Sequence, residues 1–220
     1  MGLAPRGLSG SARFRVFVFS AGARPPATAA PWYHHGMKRR IFIAIDLPPE
    51  LKQDIATAIH RWHWLPIRWL KPENWHATVI PPVYLEDAEV ELLVAALRVG
   101  RAGKSVPLRF RRITLAPPGM TARMIWLEGE TPPGFPGLKK RIEAIWSGER
   151  RLPPLRTDPP LRLHVTLARF EPGDLRELEA KTRVLGEVEF AFEARSIAVM
   201  ESRLTPSGAE YTSMASIALD

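Results

Sequence analysis

The sequence predicts an α+β fold, with antiparallel strands in two lobes, helices outside and a cleft between. Three observations predict it. Extended and helical stretches follow as strand, helix, two strands, helix, three strands, helix, strand, helix, three strands. That order lacks the strict alternation of a parallel sheet. Two short apolar runs, Asn74-Trp75-His76-Ala77-Thr78-Val79-Ile80 and Leu163-His164-Val165-Thr166-Leu167-Ala168-Arg169, each carry a His and a Thr two positions apart. These runs fall at comparable places in two halves, which suggests a pseudo-twofold internal duplication.

Residues 1–36 stand apart. They are rich in Ala, Gly, Pro, Ser and Arg and contain no acid. They read as an extension outside the fold, with Met37 as the expected natural start and 37–220 as one domain. The net charge is +8, and half of it comes from Arg6, Arg13, Arg15 and Arg24 of this leader. The remaining +4 is mild; it permits a polyanionic partner but not a nucleic-acid-coating protein. There are no cysteines among the 220 residues, which excludes disulfides, thiolate metal sites and a Cys nucleophile and fits a reducing cytoplasm. No apolar run reaches the length of a membrane span, so no membrane partner is expected.

Elements can be assigned in order. Arg40–Ile45 is a dense β run, and Asp46-Leu47-Pro48-Pro49 opens a helix with Asp46 or a neighbour as its cap. Leu51, Ile55, Ile59 and Trp62 recur at helical spacing. Ile67–Leu70 is a short strand, and Pro81-Pro82 ends the first His strand or puts it at an edge. Asp87–Leu97 is a helix; Val106–Phe110, Ile113–Leu115 and Ala122–Glu128 are strands; Phe135–Trp146 is a third helix. A polar connection over 147–162 leads to the second His strand, and Asp174–Leu185 is a fourth helix. Val188–Phe192, Ser196–Glu201 and Glu210–Ile217 close the chain as strands, with Thr205-Pro206-Ser207-Gly208 as a hairpin turn.

The paired runs carry chemistry. Residues i and i+2 of a strand share a face, so His76 projects with Thr78 and His164 with Thr166. Imidazole titrates near 6.5, so one ring can be neutral and the other charged at neutral pH, a base and an acid. Thr hydroxyls can donate to phosphate oxygens whose charge grows in the transition state. The set suits opening of a cyclic phosphate and calls for no metal or other cofactor.

With these motifs the chain resembles the two-histidine phosphoesterases, and within them the RNA 2′,3′-cyclic phosphodiesterase (2′-5′ RNA ligase-like) family. The resemblance runs from Met37 to the C-terminus. It rests on Arg40–Pro48, Glu73–Thr78, Met124-Ile125-Trp126-Leu127, His164–Arg169 and Glu201–Thr212. It implies two antiparallel sheets flanking a cleft, and metal-independent hydrolysis of RNA 2′,3′-cyclic phosphate ends to 2′-phosphomonoesters, with reversible 2′-5′ joining as an associated activity. It implies His76 as proton donor, His164 as proton acceptor, and Thr78 and Thr166 as phosphate binders. The expected partner is an RNA end, tRNA fragments included, met by a monomer. The chain departs from the family at Val79-Ile80-Pro81-Pro82-Val83-Tyr84, where Phe and Gly are usual, and at Leu163, where Pro is usual.

Arg162 shares the His164 face and could pair with phosphate, and Arg169 belongs to the family motif although alternation puts it on the opposite face unless a bulge re-aims it. Trp75 and Tyr84 are candidates for base stacking, with Trp75 placed on the core side by alternation. His60 and His63, three apart on a helix, lack acidic company for a metal. Arg150, Arg151 and Arg156 could guide an RNA tail. Two other readings use the same cleft: a non-catalytic nucleotide- or RNA-binding module, and a phosphoesterase for small cyclic nucleotides.

Overall fold

The computed structural model describes residues 38–156, 161–174, 186–206 and 208–220. The leader, residues 175–185 of the fourth predicted helix, and Ser207 of the predicted turn lie outside the described residues. Among those described, three α-helices back a nine-stranded antiparallel sheet.

The sheet is built around β1 (Arg39–Asp46), whose run from Ile41 to Ile45 is buried throughout. Its odd residues, Ile41, Ile43 and Ile45, enter the main core, while Phe42 and Ala44 pack on the other face with Ala198 and Met200. Helix α1 (Pro49–Ile59) buries Leu51, Ile55 and Ile59, and α2 (Asp87–Gly100) buries Val90, Leu93 and Leu97. Helix α3 (Gly134–Gly148) buries Phe135, Leu138, Ile142 and Trp146. Each set is one stripe at three- and four-residue spacing, and all three stripes meet the same core.

The remaining strands are β2 (Arg68–Trp69), β3 (His76–Leu85), β4 (Val106–Ala116), β5 (Met124–Glu130), β6 (His164–Arg169), β7 (Gly186–Ala194), β8 (Ser196–Thr205) and β9 (Gly208–Ala218). Where the sequence predicts two sheets, the strands form one path, β7-β4-β5-β6-β3-β1-β8-β9, with β2 added beside β6. The path narrows between β6 and β3 to a single pair, Ala77 opposite Val165. The two His strands therefore meet side by side at the middle of the sheet.

Several local expectations change. The two predicted strands over 106–115 are one strand with a register shift between Phe110 and Arg112. Asp46 does not cap α1; the N-cap is Pro48, while Asp46 Oδ1 accepts the Leu47 N–H at 3.0 Å and pairs with Lys52 at 2.7 Å. Pro81-Pro82 neither ends β3 nor breaks it. The register against β1 jumps from Ile80 opposite Ile43 to Val83 opposite Ile41, so the prolines occupy a bulge. A bulged residue owes the ladder no N–H, which is why proline is tolerated there. Leu163, in place of the usual Pro, uses its N–H: it donates to Thr131 Oγ1 at 3.0 Å.

Candidate active site

His76, Thr78, His164 and Thr166 line one cavity of about 300 Å³ where β3 and β6 meet. All four are half-buried, and the residues between them, Ala77 and Val165, are fully buried. Strand alternation accounts for this: the polar pairs face the cavity because the apolar residues between face the core.

The two halves of the cavity share one register. Against β1, Ile80 lies opposite Ile43, Thr78 opposite Ala44, Ala77 opposite Ile45 and His76 opposite Asp46. Against β5, Ala168 lies opposite Ile125, Thr166 opposite Trp126, Val165 opposite Leu127 and His164 opposite Glu128. Each His strand thus has one extra residue, Val79 or Leu167, directly after its Thr. Each His has a carboxylate directly across the ladder.

That extra residue decides the place of Arg169. Strict alternation turns it to the core face, but Leu167 and Ala168 are buried in succession and the phase resets. Arg169 is exposed and lines the cavity, with Nη1 3.5 Å from Met124 Sδ. Arg162 is placed differently. Its guanidinium lies 3.6 Å from Glu128 Oε1, and it lines a neighbouring cavity rather than this one.

Both imidazoles are held alike. His76 Nδ1 is 2.8 Å from the Asn74 carbonyl and His164 Nδ1 is 3.0 Å from the Arg162 carbonyl. A carbonyl oxygen only accepts, so each Nδ1 carries the proton and each Nε2 is left for chemistry. Aromatic rings complete the hold. Trp126 stacks on His164 with centroids 3.8 Å apart and planes at 22°. Phe42 and Tyr211 flank His76 at 4.8 and 5.0 Å.

These walls shift both titrations down. Desolvation pushes His76 to about 4, with the Asn74 carbonyl and Asp46 opposing it. Desolvation also lowers His164, against the Arg162 carbonyl and Glu128. The expectation of one neutral and one charged ring therefore gives way to two neutral rings in the free protein at pH 7. The cause is burial against apolar walls, which disfavours the imidazolium at both positions.

Glu128 is the functional candidate that sequence reading missed. It is 7% exposed and accepts from Arg112 Nε and Nη2 at 2.8 and 2.7 Å. A buried carboxylate beside a base stabilises the imidazolium that forms on it. Nothing in the run Met124–Glu130 distinguishes Glu128 until its register with His164 is known. Phe42, Trp126, Tyr211 and Arg40 also line the cavity; all four lie in stretches that carry the resemblance, without a role attached.

Other candidates lie elsewhere. Trp75 is buried in the core at 1% exposure, and Tyr84 is exposed beside a separate groove. The rings of His60 and His63 lie 5.7 Å apart, and among the described residues no three His, Asp or Glu converge as a metal group. Arg150, Arg151 and Arg156 line neither the His cavity nor the four cavities that share residues with it. Among the described residues no helix is long and apolar enough to cross a membrane.

No family model matches the chain. It is similar to the RNA 2′,3′-cyclic phosphodiesterase of Methanocaldococcus jannaschii, 27% identical over 179 residues that cover 78% of this chain and 96% of the relative. Among solved structures, Escherichia coli LigT in apo form matches with a TM-score of 0.67 at 19% identity, covering 84% of this chain and 99% of LigT. LigT complexed with 3′-AMP gives 0.65 at 20%, covering 83% and 98%. TT0787 of Thermus thermophilus gives 0.63 at 24% identity, covering 82% and 97%. These structural likenesses establish a shared fold.

Proposed function

We propose that this chain, a member of the two-histidine phosphoesterase superfamily, hydrolyses 2′,3′-cyclic phosphate ends of RNA to 2′-phosphomonoesters. The observation that carries the reading is the matched pair: two imidazoles with Nδ1 tied to backbone and two hydroxyls, all on one cavity. The matched registers of β3 on β1 and β6 on β5 support an internal duplication, with the single Ala77–Val165 pair as the seam between two lobes.

In the proposed reaction His164 Nε2 takes a proton from water as the water oxygen attacks phosphorus. The bond from phosphorus to the ribose 3′-oxygen breaks, and that oxygen takes the proton held on His76 Nε2. Thr78 and Thr166 donate to the non-bridging oxygens, and Arg169 balances their growing charge. Glu128 favours His164 as acceptor, because positive charge develops there during the step. Asp46 is less available to His76, since Lys52 holds it at 2.7 Å. The low affinity of His76 for its proton makes its imidazolium a strong acid once the anionic substrate has helped to charge it. The relative from Methanocaldococcus jannaschii bears the name of this activity, and the LigT complex with 3′-AMP supports a nucleotide in a fold of this kind. The reaction needs no group beyond the chain and water. Joining of 2′-5′ ends is the same step with a ribose 5′-hydroxyl in place of water: its oxygen attacks phosphorus, its proton goes to His164, and the 3′-oxygen leaves with the proton from His76; cleavage of the junction is the reverse. A monomer acting in the cytoplasm, with residues 37–220 as its working domain, fits this reading.

The test is an RNA oligomer ending in a 2′,3′-cyclic phosphate, incubated with EDTA and followed by phosphorus NMR. A 2′-phosphomonoester is expected; a 3′-phosphomonoester or no turnover overturns the proposal. The pH profile is a second check. Rising pH strips the proton from His76, and falling pH adds one to His164. Both rings titrate below 6.5, so kcat/KM is expected to peak below that pH and to fall about tenfold between pH 7 and 8. A peak above pH 7.5 contradicts the lowered titrations.

A further inference from the structure

Three grooves share lining residues with the catalytic cavity or flank it. One, beyond Thr78 and His164, is walled by Pro81, Pro117, Pro118 and Leu161 and is largely apolar. A second, reached past Arg40, carries acids among its cations: Arg39 pairs with Asp87 and Glu201, Arg203 pairs with Glu201 at 3.2 Å, and Arg40 donates to Ser202 Oγ at 2.7 Å. The third leaves the cavity between β2 and the tip of the β8–β9 hairpin, sharing Leu70, Asn74, Arg169 and Tyr211 with it. It continues into a space of about 400 Å³ beside Arg123.

The cations of the third route are Arg169, Arg68, Lys71 and then Arg123. Among the described residues none has a carboxylate at ion-pair distance, and all four are exposed. Acids enter mainly at the far end. Glu171 and Asp174 stand past Arg123, with Asp174 Oδ2 accepting the Glu171 N–H at 3.1 Å, and Glu210 is exposed on the hairpin side. The route is cationic where it leaves the cavity and mixed where it ends.

We infer that the single-stranded RNA upstream of the cyclic phosphate leaves through this third groove, its first phosphates held by Arg68 and Lys71. The inference rests on the proposed hydrolase reading for what occupies the cavity. The physical argument is independent of it: unpaired cations lining a route that opens from a phosphate site attract a phosphate backbone, whereas paired ones do not. The acids at the far end limit the footprint to the first phosphates after the reacting nucleotide.

The experiment compares the whole chain with an Arg68→Gln/Lys71→Gln double variant. Neither side chain lines the catalytic cavity, and both are exposed, so folding is expected to survive. The binding probe is a 5′-fluorescein eight-nucleotide RNA with a 2′-phosphate end, followed by anisotropy across a salt series. The double variant is expected to raise Kd about tenfold and to flatten the slope of log K against log salt by about 0.7 for each phosphate it no longer neutralises. Its kcat/KM on a 2′,3′-cyclic mononucleotide is expected to stay within about twofold of wild type, while that on an octamer with the same end falls to the mononucleotide's value. Arg203→Gln, in the second groove, is the control and is expected to change neither. Unchanged RNA affinity and salt slope in the double variant overturn the inference, as does equal loss on both substrates or a larger effect from Arg203→Gln. If wild type binds RNA through Arg68 and Lys71 yet opens no cyclic phosphate, the groove stands and the hydrolase reading falls.

Discussion

His164→Ala and His76→Ala are each expected to lower kcat on a cyclic-phosphate RNA end by about 10²–10⁴-fold, the usual worth of one positioned proton transfer. The two differ in what they leave behind. Without His164, water must attack unassisted, but His76, Thr78 and Thr166 still bind and polarise the phosphate, so KM should move little. Without His76 the 3′-oxygen must leave without a proton. A substrate with a leaving group that needs none, such as a p-nitrophenyl phosphodiester, should recover much of the rate in His76→Ala and none in His164→Ala. The double variant should be little worse than either single one, because groups acting in one step do not contribute additively. His76 packs between Phe42 and Tyr211 and His164 lies under Trp126, so each truncation also leaves a small gap. Circular dichroism melts separate that effect. Undiminished turnover in either variant sinks the assigned roles, and a loss that tracks the melting temperature reduces the two residues to packing.

Gly129→Ala should be the most damaging methyl group that can be added near the site. A Cβ on Gly129 falls 1.9 Å from the Arg109 carbonyl oxygen, at the irregular register of β4 and β5. The obstacle is backbone, so no rotamer change relieves it and the strands must part. Overpacking of this kind costs about 3 kcal/mol or more. For a chain of this size that is a fall in Tm of about 10 °C. Activity should suffer as well, because Gly129 follows Glu128 and its N–H donates to the Leu163 carbonyl at 3.1 Å, next to His164. Gly137→Ala is the matched control. It lies inside α3 with nothing within 4 Å of the added methyl, and should stabilise by up to about 1 kcal/mol. A Gly129→Ala melt within about 2 °C of wild type, against that expected fall, removes the steric argument.

Much of the element order is legible in the residues because it is local. Helical spacing of Leu51, Ile55 and Ile59, or of Val90, Leu93 and Leu97, depends only on the 3.6-residue repeat, and these positions are the ones buried. Strand ends and bulges are less legible because they depend on the partner strand. Pro81-Pro82 looks like a terminator until β1 is seen to skip past it. Arg169 looks misdirected until Leu167 is seen to be the extra residue against β5.

The same division holds for the site. His76, Thr78, His164 and Thr166 announce themselves, since a two-residue spacing in an apolar strand assigns their shared face with no knowledge of the rest. Their neighbours across the ladder do not: Glu128 opposite His164, Asp46 opposite His76, and Trp126 stacked on one ring all depend on register, which is set by pairing between distant segments. Their protonation was likewise out of reach. An imidazole's ordinary titration follows from its chemistry, but the downward shift of both rings follows from walls contributed by other strands. By itself, then, the sequence determined which polar pairs share a strand face and so which groups are candidates for the chemistry, because strand periodicity is a local property. Only the tertiary structure decided their partners and the downward shift of their titration, because each depends on residues that meet across the sheet rather than along the chain.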